Sequence, residues 1–101
     1  MRLKKGVRVG GVSPEISVAI MVVDSIYGTF SRELVITSMC EDTHSERSAH
    51  YRGDAFDCRT YYFNDDQKEQ LVTNVERALG TDFIVILEED HLHVQFSPKK
   101  P

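Results

Sequence analysis

Three side chains that commonly bind metal ions stand at two places in the sequence. His50 and Asp57 flank Gly53, and His93 follows near the end of the chain. Two imidazole nitrogens and one carboxylate oxygen are typical ligands of a catalytic zinc ion, which keeps another position open for water. A water bound to such an ion has a pKa near about 7 and becomes a nucleophile when a base takes its proton. The sequence therefore predicts Zn²⁺ as cofactor, with His50, Asp57 and His93 as its ligands.

A water held in this way needs a proton acceptor, and three acidic residues precede His93. Asp90 lies at the start of the segment that carries His93, directly after Glu88 and Glu89. A carboxylate at this place can reach the water and act as the general base. His91 lies two residues before His93, so both face the same side of a strand. From there His91 can stabilise a developing oxyanion or hold the tautomer of a ligand.

Two helices are predicted to support this site. Ser13 caps the first, Pro14 is its first residue, and apolar side chains cover nearly its whole circumference, so we expect a buried central helix that stops at Gly28. Asn64 and Gln67 predict a capping box at the start of the second helix, which has one apolar stripe and ends near residue 80.

Four segments have the length and composition of strands: residues 33–40, 55–61, 83–87 and 91–97. Alternation in the second places Asp57 on the face opposite Phe56, and alternation in the fourth places His93 opposite Val94. The polar segment 41–53 is a long loop, a feature often linked to function. The expected fold is α+β, a small antiparallel sheet of about four strands with two main helices packed on it.

Composition limits the possible classes of protein. The chain has 101 residues, 41% of them hydrophobic and 28% charged, which predicts one globular domain with peripheral tails at 1–12 and 98–101. A net charge of -4 argues against nucleic acid as a partner. The apolar run 16–23 is too short to span a membrane, and its flanks do not predict a signal peptide. Cys40 and Cys58 have no metal-binding or redox spacing, and whether they pair stays open.

The first half of the site resembles a known signature. Ser48-x-His50-x-x-Gly53-x-Ala55-x-Asp57 is similar to the SxHxxGxAxD motif of the zinc D-alanyl-D-alanine carboxypeptidases. Phage L-alanyl-D-glutamate endopeptidases, lysostaphin-type enzymes and the hedgehog signalling domain are related to this family.

The second half resembles the other motif of the same family. Asp90-His91-Leu92-His93-Val94 matches an acid followed three residues later by the last zinc histidine, in an HxH pair. The order of the predicted elements is also similar, over residues 13–97. Two motifs in the right order form a much more specific signal than a lone HxH. The resemblance implies a hedgehog-like or DD-peptidase-like fold.

The resemblance also implies roles for individual residues. It assigns the zinc to His50, Asp57 and His93, the general base to Asp90 with Glu88 or Glu89 as alternatives, an assisting role to His91, and a substrate contact to Ser48. Many relatives hold the substrate carboxylate with an arginine in an SGYR-like turn. The turn here reads Thr37-Ser38-Met39-Cys40, so Arg47, Arg52 or Arg59 is the candidate.

The implied function is zinc-dependent hydrolysis of an amide bond in the peptide stem of peptidoglycan. The resemblance leaves open whether that bond is D-Ala-D-Ala, L-Ala-D-Glu or a cross-bridge. We expect a phage-associated monomer that stays in the host cytoplasm until lysis or travels with the virion. The alternatives are a non-catalytic zinc-binding interaction module of hedgehog-like type and a metal-stabilised structural protein of a virion.

Overall fold

The computed structural model describes residues 1–39 and 53–98, which form two helices and a five-stranded sheet. The helices are α1 (Pro14–Thr29) and α2 (Asp65–Leu79). The strands are β1 (Arg2–Leu3), β2 (Val35–Ser38), β3 (Ala55–Arg59), β4 (Phe83–Leu87) and β5 (His91–Phe96). Their order in the sheet is β1-β2-β3-β5-β4. The predicted α+β class is confirmed.

The sheet is mixed, so the prediction of a purely antiparallel sheet of about four strands is wrong. β1 pairs parallel to β2, and all other neighbours are antiparallel. The amides of Arg2 and Lys4 each donate to a carbonyl of the β2 region, those of Leu34 and Ile36, at 2.8 Å. A two-residue strand is too short to show an alternating pattern, and only its pairing defines it.

Both helices begin where the sequence predicts. The Ser13 side chain accepts from the amide of Ile16 at 3.3 Å, and the capping box of Asn64 and Gln67 is present. Helix α1 passes through the predicted stop at Gly28 and ends at Thr29. Neither α1 nor α2 is long and apolar enough to span a lipid bilayer.

Only one face of α1 is buried, so the prediction of a helix enclosed on all sides is wrong. The buried residues are Ile16, Ala19, Ile20, Val23 and Tyr27. On the other side, Val18 is 60% exposed and Met21 71% exposed. A single sheet and a single neighbouring helix cover one side of α1, and apolar composition alone does not reveal how many sides are covered.

The core lies between the helices and one face of the sheet. Phe56 and Cys58 of β3 and Leu92 and Val94 of β5 are fully buried there. Because side chains alternate along a strand, the residues between them point to the opposite face. The helices therefore determine which side of the sheet remains for chemistry.

A buried tyrosine connects α1 to the end of β3. The Tyr27 hydroxyl donates to the carbonyl of Arg59 at 2.9 Å and lies 3.3 Å from the sulfur of Cys58. Cys58 is a free thiol, and Cys40 lies outside the described residues. Burial raises the pKa of Cys58 to about 12, and burial also raises the pKa of Tyr27.

These buried groups make stability depend on alkaline pH. The Cys58 thiol ionises near pH 9.0 when exposed but near pH 12 when folded, so the unfolded chain alone loses this proton between those values. The free energy of unfolding should fall in that window by about 1.4 kcal/mol per pH unit for this group. Urea unfolding as a function of pH measures the slope. Cys58→Ala should make it shallower, and an unchanged slope would show that the thiol is not responsible.

Candidate metal centre

The pairing of β3 with β5 brings the two sequence motifs together. Asp57 lies directly opposite His93 in the antiparallel register, on the sheet face away from the helices. The distance between Asp57 Oδ1 and His93 Nδ1 is 2.9 Å. His91 lies two residues before His93 on the same face of β5 and pairs with Arg59 of β3. Its Nε2 is 3.8 Å from Asp57 Oδ2. One carboxylate thus faces both histidines.

The environment of Asp57 favours positive charge beside it. Asp57 is only 9% exposed. Its hydrogen bond with His93 raises the pKa of that histidine, although burial of the ring opposes the shift. A buried carboxylate is stable when a cation or several hydrogen-bond donors compensate its charge. The centre of the site is therefore a place where a proton or a metal ion is favoured.

The donor atoms of this pair fit a divalent metal ion such as zinc. A carboxylate oxygen and an imidazole nitrogen, both zinc-binding atom types, face each other from adjacent strands. The third expected ligand, His50, lies outside the described residues, as do Ser48, Arg47 and Arg52. Within residues 1–39 and 53–98, no three His, Cys, Asp or Glu side chains are grouped as a metal site. The predicted ligand set therefore depends on His50.

Among the three acids, Asp90 contacts the histidine pair. Its Oδ1 accepts from His91 Nδ1 at 2.7 Å, and this hydrogen bond lowers the pKa of the Asp90 carboxyl. The contact turns the other nitrogen of His91 towards Asp57. Glu88 and Glu89 are exposed in the connection between β4 and β5. Asp90 thus combines an ionised carboxylate with a direct link to the site.

A cavity of about 330 Å³ opens beside His91. Its lining residues are Lys4, Thr37, Arg59, Tyr61, Asp90 and His91. The Arg59 guanidinium lies over the Tyr61 ring, 5.6 Å from its centre, which holds one cation at the cavity wall. Lys4 follows β1 and belongs to the predicted tail 1–12, so no sequence pattern placed it near the site.

Gln95 is a site neighbour to which sequence reasoning assigned no role. Its Oε1 lies 3.0 Å from His93 Nε2, the ring nitrogen on the far side from Asp57. The alternation of His91, His93 and Gln95 along β5 was the available signal, because it places all three on one face.

The glycine of the first motif lies against the start of α1. Gly53 has a φ of +75°, and a Cβ built on it would lie 2.0 Å from the carbonyl oxygen of Gly11. Its own carbonyl accepts from the amide of Ser13, the cap of α1, at 2.9 Å. Ala55, next in the motif, is fully buried opposite Gln95. Gly53 and Ala55 thus determine the path of the chain into β3, which begins two positions before Asp57.

Comparisons with protein-family models, curated proteins and solved structures found no match. The likeness to zinc peptidases therefore rests on the two sequence motifs.

Any side chain at position 53 should destabilise the contact between the start of β3 and the start of α1. Gly53→Ala should lower the free energy of unfolding by about 2 kcal/mol or more, because a strained φ alone costs about 1–3 kcal/mol and the backbone clash adds to it. Gly80→Ala is the matched control, since Gly80 also has a positive φ, +83°, but open space around it. Chemical unfolding compares the two variants. Equal losses would contradict the close approach to Gly11.

Proposed function

We propose that the protein is a zinc-dependent peptidase that hydrolyses an amide bond in the peptide stem of peptidoglycan, on a small α+β domain of the hedgehog and DD-peptidase type. The observation that carries this proposal is the 2.9 Å contact between Asp57 and His93, which come from two motifs far apart in the sequence. Asp90 and His91 of the second motif lie beside this pair, because His91 faces Asp57 and contacts Asp90. Motif order and spatial arrangement thus support the same chemistry.

In this proposal His50, Asp57 and His93 hold the zinc ion. When bound, zinc polarises the carbonyl of the scissile amide and lowers the pKa of a bound water. Asp57 contributes the negative charge of the ligand set, and its burial limits competition from solvent. His93 contributes a nitrogen held in place by contacts on both sides of its ring.

Asp90 is the proposed general base. Asp90 Oδ1 accepts a hydrogen bond from His91 Nδ1, and the second carboxylate oxygen can accept the proton of the attacking water. The lowered pKa keeps this carboxylate in its ionised form, which can accept a proton, but it also makes the carboxylate a weaker base. Asp90 is preferred to Glu88 and Glu89 because its carboxylate contacts the imidazole of His91, whereas the contact of Glu88 with His91 joins backbone atoms.

His91 is proposed to assist at the carbonyl oxygen. Asp90 Oδ1 lies 2.7 Å from Nδ1 of the ring, so Nε2 faces Asp57, on the side where the amide is attacked, and can donate there when it carries a proton. A donor at this position stabilises negative charge as it develops on the oxygen. The same histidine can later supply a proton to the leaving amine.

The cavity beside His91 is proposed to bind the carboxylate of the substrate. Lys4 and Arg59 give its wall two cationic groups, and Thr37 is the first residue of the segment that corresponds to the SGYR-like turn of relatives. In this proposal Arg59, on β3, and Lys4, directly after β1, take the role of that arginine. Arg47 and Arg52 remain candidates for further substrate contacts outside the described residues, as does Ser48.

The proposed substrate determines where the protein acts. Peptidoglycan lies outside the cytoplasm, and a phage lysis or virion-associated enzyme reaches it after release by another factor. The single small domain is proposed to act as a monomer on an open groove.

The purified protein should bind one equivalent of zinc and release amino groups from peptidoglycan. His50→Ala should lose both properties. Asp90→Asn should keep the zinc but lower kcat by about 10²- to 10⁴-fold, as expected for loss of a general base. Glu69→Gln, an exposed acid on α2, is the matched control and should change neither property.

Two results of this experiment would contradict the proposal in different ways. Stoichiometric zinc without cleavage of any cell-wall peptide would leave a non-catalytic binding module. No zinc, together with an unchanged melting temperature in chelator, would exclude both the enzyme and the module.

Arg59→Gln should weaken binding of substrates with a free carboxylate. Hydrogen bonds to charged groups are worth about 1.5–3 kcal/mol, so kcat/KM should fall about 10- to 100-fold, mostly through KM. A substrate with an amidated carboxylate should lose little. Arg77→Gln, at the end of α2, is the control cation. Equal losses for the free and amidated substrates would show that Arg59 does not bind the carboxylate.

A further inference from the structure

The two ring nitrogens of His93 face acceptor atoms on opposite sides. Nδ1 lies 2.9 Å from Asp57 Oδ1, and Nε2 lies 3.0 Å from the amide oxygen of Gln95. A neutral imidazole carries one N–H and one lone pair, so only one of its nitrogens donates. Which nitrogen carries the proton decides which nitrogen can bind a metal ion.

We propose that Gln95 is a positioning residue that makes Nδ1 the metal-binding nitrogen of His93. This inference rests on the proposed zinc site. The Gln95 oxygen can only accept, so when a metal ion replaces the proton that Nδ1 shares with Asp57, this contact holds the remaining ring proton on Nε2 and leaves the lone pair of Nδ1 to the metal. That lone pair faces Asp57 Oδ1, which is also an acceptor, and the two are compatible when they share a cation. Partners of this kind orient metal-binding histidines and increase their basicity.

The sheet explains how Gln95 reaches the ring. Gln95 lies two residues after His93 on β5, so both side chains share one face. Its cross-strand neighbours are Ala55 on β3 and Ile84 on β4. The small side chain of Ala55 leaves room for Gln95 to extend along the strand, and Ile84 borders it on the other side. The contact with His93 is partly buried, which reduces competition from water.

The first test measures the ring of His93 in the unaltered protein loaded with zinc. Two-dimensional ¹H–¹⁵N spectra that detect long-range couplings in imidazole distinguish a metal-bound nitrogen from a protonated one. We expect zinc on Nδ1 and the proton on Nε2. Zinc on Nε2 would overturn the proposal, and this measurement requires no variant to fold.

The second test measures zinc affinity by competition with a chromogenic chelator. Gln95→Met keeps the length of the side chain but removes the acceptor, so the dissociation constant should rise about 10- to 100-fold. Gln95→Glu restores an acceptor and should bind zinc at least ten times more tightly than Gln95→Met. Gln70→Met, the same change at an exposed position of α2, should leave the affinity unaltered.

The outcomes separate this inference from the proposed function. Equal zinc affinity in the original protein and Gln95→Met would overturn the role of Gln95 and leave the peptidase proposal intact. An affinity of Gln95→Glu as low as that of Gln95→Met would also overturn it, because an acceptor alone would not explain the effect. Failure of the original protein to bind zinc would remove the basis of both.

Discussion

The site depends on the register between β3 and β5. Asp57 meets His93 because these strands pair antiparallel with the two residues directly opposite. A shift of either strand by one residue would turn its own side chain, Asp57 or His93, towards the helices and away from its partner, since the faces of a strand alternate. The buried side chains of Phe56 and Leu92 oppose such a shift, because it would expose them. The packing that stabilises the domain therefore also assembles the site.

Local patterns in the sequence predicted the centre of the site, whereas its surroundings depend on pairing between distant segments. Alternation along two strands was enough to place Asp57 and His93 on one face. The position of Lys4 was not predictable in this way, because it follows from the parallel pairing of a two-residue strand. The exposed side of α1, with Met21, was also missed, because periodicity describes the residues of a helix and not its neighbours. Cavities and partly covered surfaces are properties of the assembled fold.

The polar face of the sheet brings opposite charges close together. Asp57 lies beside both histidines, and the neighbouring cavity is lined by the cations Lys4 and Arg59 as well as by Asp90 and His91. Tyr27 joins this arrangement to the core through its hydrogen bond to the Arg59 carbonyl. Since that bond is to the backbone, the side chain of Arg59 can be exchanged without cutting the link between α1 and β3. The proposed substrate contact and the attachment of α1 to β3 thus use different atoms of Arg59.

One of the two edge strands of the described sheet, β4, affects how the protein behaves in concentrated solution. It is a run of five apolar residues at the end of the sheet order, and Ile84 and Ile86 are 41% and 42% exposed. Apolar edge strands can add strands from other molecules and so begin aggregation. Asp82 and Glu88 flank this strand, and acids in such positions oppose stacking by charge repulsion. We therefore expect these two carboxylates, which have no part in the proposed chemistry, to oppose association through β4.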